Sequence, residues 1–137
     1  MSRPSIVLTL VAVIVVGVCL GAGKDRRANA QQGSVTSALS THVLDASGGR
    51  PVAGVPVRLD SAGKLLGEGK TDKDGRAALG PARLEAGTYR LNFDVGSGNP
   101  QSFYPEITVT FRISEPALHL HLPILWSPFA FTTYRGS

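Results

Sequence analysis

Three histidines, His42, His119 and His121, are the residues best suited to chemistry in this sequence, and arginines are available to partner them, Arg76 behind an Asp-Gly pair among them. An imidazole titrates near neutrality and can serve as a base toward water at pH 7. Two imidazoles with one guanidinium suit hydrolysis of a small anionic amide. One ring activates water, the other fixes the substrate, and the cation stabilises the developing oxyanion. Side chains alternate along a strand, so His42 falls opposite Leu39, Thr41 and Val43, and His119 and His121 fall opposite Leu118, Leu120 and Leu122. All three rings therefore lie on faces turned away from a core. Solvated surface histidines fit the same placement, and Arg76 fits a simple turn cap. Zinc is a third reading of two histidines at i, i+2, but no third ligand is evident and the acidic residues concentrate in turns. The one cysteine, Cys19, precedes the domain, which leaves the domain without a thiol nucleophile, a thiolate metal site or a disulfide.

The elements that must position these residues read as strands. Leu39, Thr41 and Val43 alternate with Ser40, His42 and Leu44; Val55, Val57 and Leu59 alternate with Pro56, Arg58 and Asp60. Leu65-Leu66 opens a short strand and Ala77 to Leu79 forms a brief one. Tyr89, Leu91, Phe93 and Val95 form one apolar face, and Ile107, Val109, Phe111 and Ile113 another. Leu118, Leu120 and Leu122, then Phe129 and Phe131, complete the set. Gly48-Gly49-Arg50-Pro51, Ser61-Ala62-Gly63 and Thr71-Asp72-Lys73-Asp74-Gly75-Arg76 are turns. In the last, Asp side chains can accept backbone bonds and Gly75 can take positive φ. About seven or eight short strands with turn signals every 8–12 residues predict an all-β sandwich, two sheets packed through their apolar faces. Residues after Ala30 show no helical period.

With 137 residues the chain suffices for one compact domain, and 42% hydrophobic with 18% charged residues is ordinary globular composition. The formal charge is +4, but much of the excess sits at Arg3, Lys24, Arg26 and Arg27. No basic stripe is interleaved with aromatics, which argues against a nucleic-acid partner. Met1-Ser2-Arg3, an apolar run from Ile6 to Gly23 and Ala28-Asn29-Ala30 form the three parts of a secretory signal. The expected organisation is a signal over 1–30 cleaved after Ala30, a short linker over 31–38 and a domain over 39–137. The product would be periplasmic or secreted. The length of the apolar run and the charges of Lys24-Asp25-Arg26-Arg27 keep an uncleaved membrane anchor open as the alternative.

Four segments carry a resemblance. Leu39-Ser40-Thr41-His42-Val43-Leu44-Asp45, Thr71-Asp72-Lys73-Asp74-Gly75-Arg76, Phe103-Tyr104-Pro105-Glu106-Ile107 and His119-Leu120-His121-Leu122-Pro123 stand in order, followed by a terminal Tyr134-Arg135-Gly136-Ser137. Together they resemble the 5-hydroxyisourate hydrolases of the transthyretin-like family, over roughly Leu39 to Ser137. The resemblance implies a transthyretin-like β-sandwich assembled as a homotetramer, a dimer of dimers, with sites in the channel between dimers. It implies opening of the ring of 5-hydroxyisourate to 2-oxo-4-hydroxy-4-carboxy-5-ureidoimidazoline, with no metal or organic cofactor.

Residue by residue, the resemblance makes His42 the first-strand histidine that meets substrate and water. Arg76 becomes the arginine that binds the anionic ring, and His121 the second catalytic histidine. Tyr134 and Ser137 become the terminal segment that closes the site on the substrate. His119 is then supporting, and Arg135 an anchor of the tail. Members of the family usually carry a short helix before the Phe-x-Pro-Glu segment. Here Gly96-Ser97-Gly98-Asn99-Pro100-Gln101 is poorly suited to one, since Gly and Pro cost a helix about 1 and 3 kcal/mol. Two other classes fit parts of the pattern. One is a transthyretin-like carrier of an apolar small molecule. The other is a non-catalytic exported sandwich, because Asp45 to Asp94 also resembles the regulatory-like domains of carboxypeptidases.

Overall fold

The computed structural model describes residues 37–137. The expected signal over 1–30 and nearly all of the linker lie outside the described residues. Ten strands and no helix make up what is described: β1 (Leu39–Asp45), β2 (Arg50–Pro51), β3 (Pro56–Ser61), β4 (Lys64–Lys70), β5 (Arg76–Leu79), β6 (Gly87–Asp94), β7 (Glu106–Ile113), β8 (Leu120–His121), β9 (Ile124–Ser127) and β10 (Ala130–Thr133). One sheet is antiparallel in the order β4-β3-β6-β7. The other is organised around β1. Along one edge β1 pairs antiparallel with β5 and then β2; along the other it pairs in parallel with β8 and then β9, and β10 lies outside β9.

The apolar faces meet between the sheets. Leu39, Val43, Val57, Leu59, Leu91, Phe93 and Ile124 are wholly buried. Each is one member of an alternating pair whose other member faces outward, which is the pattern a two-layer sandwich requires. Thr41 is the one polar residue buried in this face of β1. It stays there because its hydroxyl donates to the Leu122 carbonyl at 2.7 Å, a tie between β1 and the segment after β8. Thr71 makes a similar tie. Its hydroxyl accepts from the Val55 N–H at 2.9 Å and donates to the Val52 carbonyl at 2.7 Å, which anchors the start of the Asp-Gly turn.

Three sequence expectations are corrected. Leu118 is 66% exposed and lies outside any strand, so the pattern Leu118-Leu120-Leu122 overstates β8, which is only Leu120–His121. Phe129 and Phe131 are exposed rather than inward-facing, and Phe129 sits in the turn before β10. Phe131 instead packs edge-on against Tyr104, whose ring also meets Phe103 edge-on. Finally, β9 is a strand the alternation does not reveal. Its outward residue Leu125 is as apolar as the inward Ile124 and Trp126, so polarity does not alternate there. The segment Gly96 to Gln101 forms turns, as its composition suggests. Asp94 Oδ1 accepts from the Ser97 N–H, and Asn99 Oδ1 accepts from the Gln101 N–H.

Candidate active site

The site is built where four stretches of chain lie side by side on the outer face of the β1 sheet. The first contact is between β1 and β5, in which His42 stands directly opposite Arg76. Directly opposed side chains in an antiparallel pair have Cβ atoms about 4.5–5.5 Å apart. The turn before β5 sets this register. Asp72 Oδ1 accepts from the backbone N–H groups of Asp74 and Arg76, both at 2.9 Å. Gly75 has φ 71°, and a Cβ there would come within 2.5 Å of the Val43 carbonyl oxygen. Glycine thus lets the turn lie against β1, where the Val43 N–H donates to the Gly75 carbonyl at 2.8 Å. Arg76 uses its backbone in that turn, but its guanidinium enters no salt bridge among the described residues and is exposed.

On the other edge of β1, Ser40 is the parallel partner of His121 in β8. Ser40 Oγ lies 2.9 Å from His121 Nδ1. The C-terminal tail then pairs with the far edge of β8: Gly136 opposes His121, and its N–H donates to the His121 carbonyl at 2.8 Å. This bridge keeps the register in which Thr133 of β10 opposes Ile124 of β9, so the tail extends β10 past Tyr134 and Arg135. A Cβ on Gly136 would sit 2.7 Å from His121 Cδ2 and 3.1 Å from its Cβ. The imidazole is therefore held between a serine hydroxyl on one side and a bare glycine on the other.

The electrostatics favour neutral imidazole here. His121 is pushed below the ordinary histidine value of 6.5. Burial is the largest cause and the positive charge of Arg76 the next. A charged His42 ring adds to this, a backbone hydrogen bond with Ser40 opposes it, and His119 adds a smaller push. Asp72 moves below the usual carboxylate range, first because it accepts the Arg76 N–H. His42 is half-buried, and its Nε2 is buried without a hydrogen-bond partner among the described residues. A buried ring nitrogen with no protein partner is the kind of group that a ligand or water satisfies.

The structure thus brings His42, Arg76 and His121 onto neighbouring strands of one face. His119 is exposed just before β8, and its charge acts on His121. Tyr134 and Ser137 are both exposed, and Gly136 between Arg135 and Ser137 lies against His121. Arg135 points the other way. It lines a cleft of about 330 Å³ with Phe111, Ile113, Leu120 and Leu122, on the opposite side of the sheet from the histidines. Sequence reasoning overlooked two site residues, Ser40 and Gly136. Ser40 shares the face of His42 by the same alternation that exposed the histidine, so a signal for it was present. Nothing local marks Gly136, whose importance lies in its partner.

Residues 39–136 match the model of the HIUase/Transthyretin family. The chain belongs to that family. Among members of the HIUase/Transthyretin family, it is 41% identical to the 5-hydroxyisourate hydrolase of Caulobacter vibrioides over 114 residues, covering 74% of this chain and 99% of the relative. It is 37% identical over 121 residues to the uric acid degradation bifunctional protein TTL of Arabidopsis thaliana, a match over 72% of this chain that spans only 37% of that longer protein. Among solved structures, the 5-hydroxyisourate hydrolase of Klebsiella pneumoniae superposes with a TM-score of 0.66 at 39% identity, over 74% of this chain and 99% of that one. The transthyretin-like sandwich expected from the motifs is the fold the family carries.

The clamp on His121 makes a direct prediction. Gly136→Ala forces the ring to turn away from its place, and misplacements of this size cost about 10²-fold in turnover. Steady-state kinetics on a variant with an unchanged thermal unfolding midpoint reads the effect; retained turnover would show that the tail does not position the imidazole.

Proposed function

We propose that this chain hydrolyses 5-hydroxyisourate in urate degradation, opening its six-membered ring to give 2-oxo-4-hydroxy-4-carboxy-5-ureidoimidazoline. The observation that carries the reading is the convergence of His42, Arg76 and His121 on adjacent strands of one sheet face. In this reading an imidazole takes a proton from water as the water oxygen attacks the ring amide carbon. Arg76 holds the anionic ring and stabilises the oxyanion that forms. Collapse breaks the C–N bond, the nitrogen takes back a proton, and a carboxylate and a ureido group result. The depressed basicity of His121 keeps that ring unprotonated at neutral pH, the state a base needs. Tyr134 and Ser137 close the site on the substrate from the tail.

We further propose a homotetramer. The eight-residue edge strand β7 and the edge strand β10 have no outward partner among the described residues. Unprotected edges of this kind pair readily with another copy. Edge pairing would leave the outer faces bearing His42 and His121 free to meet across a second interface, enclosing a site that is open on one chain. The proposed export over residues 1–30, with cleavage after Ala30 or retention as an anchor, rests on the sequence pattern alone.

Three measurements follow. His42→Ala, Arg76→Ala and His121→Ala should each lower turnover of freshly generated 5-hydroxyisourate, followed by absorbance, by at least about 10²-fold; near-wild-type rates in all three refute the assignment. If His121 is the base, the acid limb of kcat/KM, which reports the free enzyme, lies below pH 6.5, because its depressed basicity keeps the free ring available at lower pH. A limb above that value removes His121 from the role. Native mass spectrometry of exported protein should show four copies of a chain starting at Gln31. A monomer counts against the channel, and an intact N-terminus counts against cleavage.

A further inference from the structure

We infer that Ser40 is a positioning residue for the hydrolytic reaction: its hydroxyl holds His121 in the tautomer with the proton on Nδ1, leaving Nε2 as the basic nitrogen. The inference rests on the hydrolytic reading of the site. Ser40 Oγ has one hydrogen and two neighbours, His121 Nδ1 at 2.9 Å and the Leu120 carbonyl oxygen at 3.4 Å. The carbonyl can only accept. When the hydroxyl hydrogen points there, Oγ is left as an acceptor and Nδ1 must be the donor. Both hydrogen-bonding needs are then met at once. In the reverse arrangement Ser40 donates to Nδ1, the Leu120 carbonyl loses this donor, and the ring's proton moves to Nε2, where the ring can no longer take one from water.

The geometry is fixed by main chain on every side. The Ser40 carbonyl accepts from the Leu122 N–H at 2.9 Å, the Leu120 N–H donates to the Ala38 carbonyl at 2.7 Å, and the His121 carbonyl accepts from the Gly136 N–H at 2.8 Å. Across β5 the partner of Ser40 is Ala78, whose methyl group offers no competing hydrogen bond. The charged and titratable groups on the elements around His121 are Arg76 on β5, His42 and Asp45 on β1, His119 on its own segment, and Tyr134 and Arg135 on the tail. None of the described hydrogen bonds joins any of these side chains to Nδ1, whose described side-chain partner is Ser40 Oγ. Around metal-bound imidazoles an outer hydrogen-bond partner is commonly worth about 10–100-fold in function, and a partner on one nitrogen of a metal-free ring sets the tautomer in the same way.

The test combines two readouts on the full chain carrying ¹⁵N-labelled histidine. Above the titration of His121, its nitrogen shifts should report a protonated Nδ1 and a bare Nε2. Ser40→Ala should mix the two tautomers and lower kcat by about tenfold with KM changed less than about twofold, while Ser40→Thr, which keeps the hydroxyl, should restore both. A wild-type ring protonated on Nε2, or tautomer signals unmoved in Ser40→Ala, overturns the inference. If the wild-type chain shows no turnover of 5-hydroxyisourate, the hydrolytic reading fails instead, and the ring shifts still decide what Ser40 does.

Discussion

Everything at this site depends on β1 being bonded along both edges to pieces of chain that come from far away in sequence. At Leu39–His42 one edge holds β5 and at Leu39–Ser40 the other holds β8, about eighty residues further on. A strand so placed cannot shift without breaking two ladders. The outward side chains of its first half, Ser40 and His42, are therefore fixed relative to Arg76 on one side and His121 on the other. Catalytic groups set on strands in this way need little reorganisation when a ligand arrives, which is the main source of electrostatic advantage in an active site.

The polar residues of the inner face serve the same end. Thr41 is buried between Leu39 and Val43, yet its hydroxyl ties β1 to the Leu122 carbonyl. Thr71 joins the Asp-Gly turn to the Val52–Val55 loop. Each satisfies backbone groups that would otherwise be buried without partners, at a cost of about 1–3 kcal/mol apiece. Each is also set close to the candidate site: Thr41 next to His42, Thr71 at the head of the turn that ends in Arg76. Core and site are thus two faces of the same strands, and packing on one side determines position on the other.

Much of this is legible in the sequence, and the limits have physical causes. Period two places His42 and His121 outward correctly, because β1 and the inward residues of β8 truly alternate in burial. The Asp-Gly turn is readable because its chemistry is local: Asp72 bonds to residues two and four positions on. Strand β9 is unreadable because both its faces are apolar, and the Phe129-Phe131 alternation misleads because aromatic rings there are left on the surface. The motifs, through family resemblance, single out Arg76 among many arginines; its charge and spacing do not. Alternation puts Ser40 on the face of His42, but its role, like that of Gly136, is defined by cross-strand neighbours. Pairing between residues 40 and 121, and between 121 and 136, is a property of topology that no window along the chain contains.

The unbroken register from β10 into the tail has a further bearing on how such a chain can vary. The turn between Ser127 and Ala130 counts out the residues that follow, as a vernier does. One residue more or fewer there would carry a neighbouring side chain, Arg135 or Ser137, into the place of the bare glycine against the imidazole, since a single step along a strand exchanges its faces. Loop length remote from the chemistry is in this way a hidden dimension of the site, and insertions usually tolerated in surface turns would here be felt at the histidine.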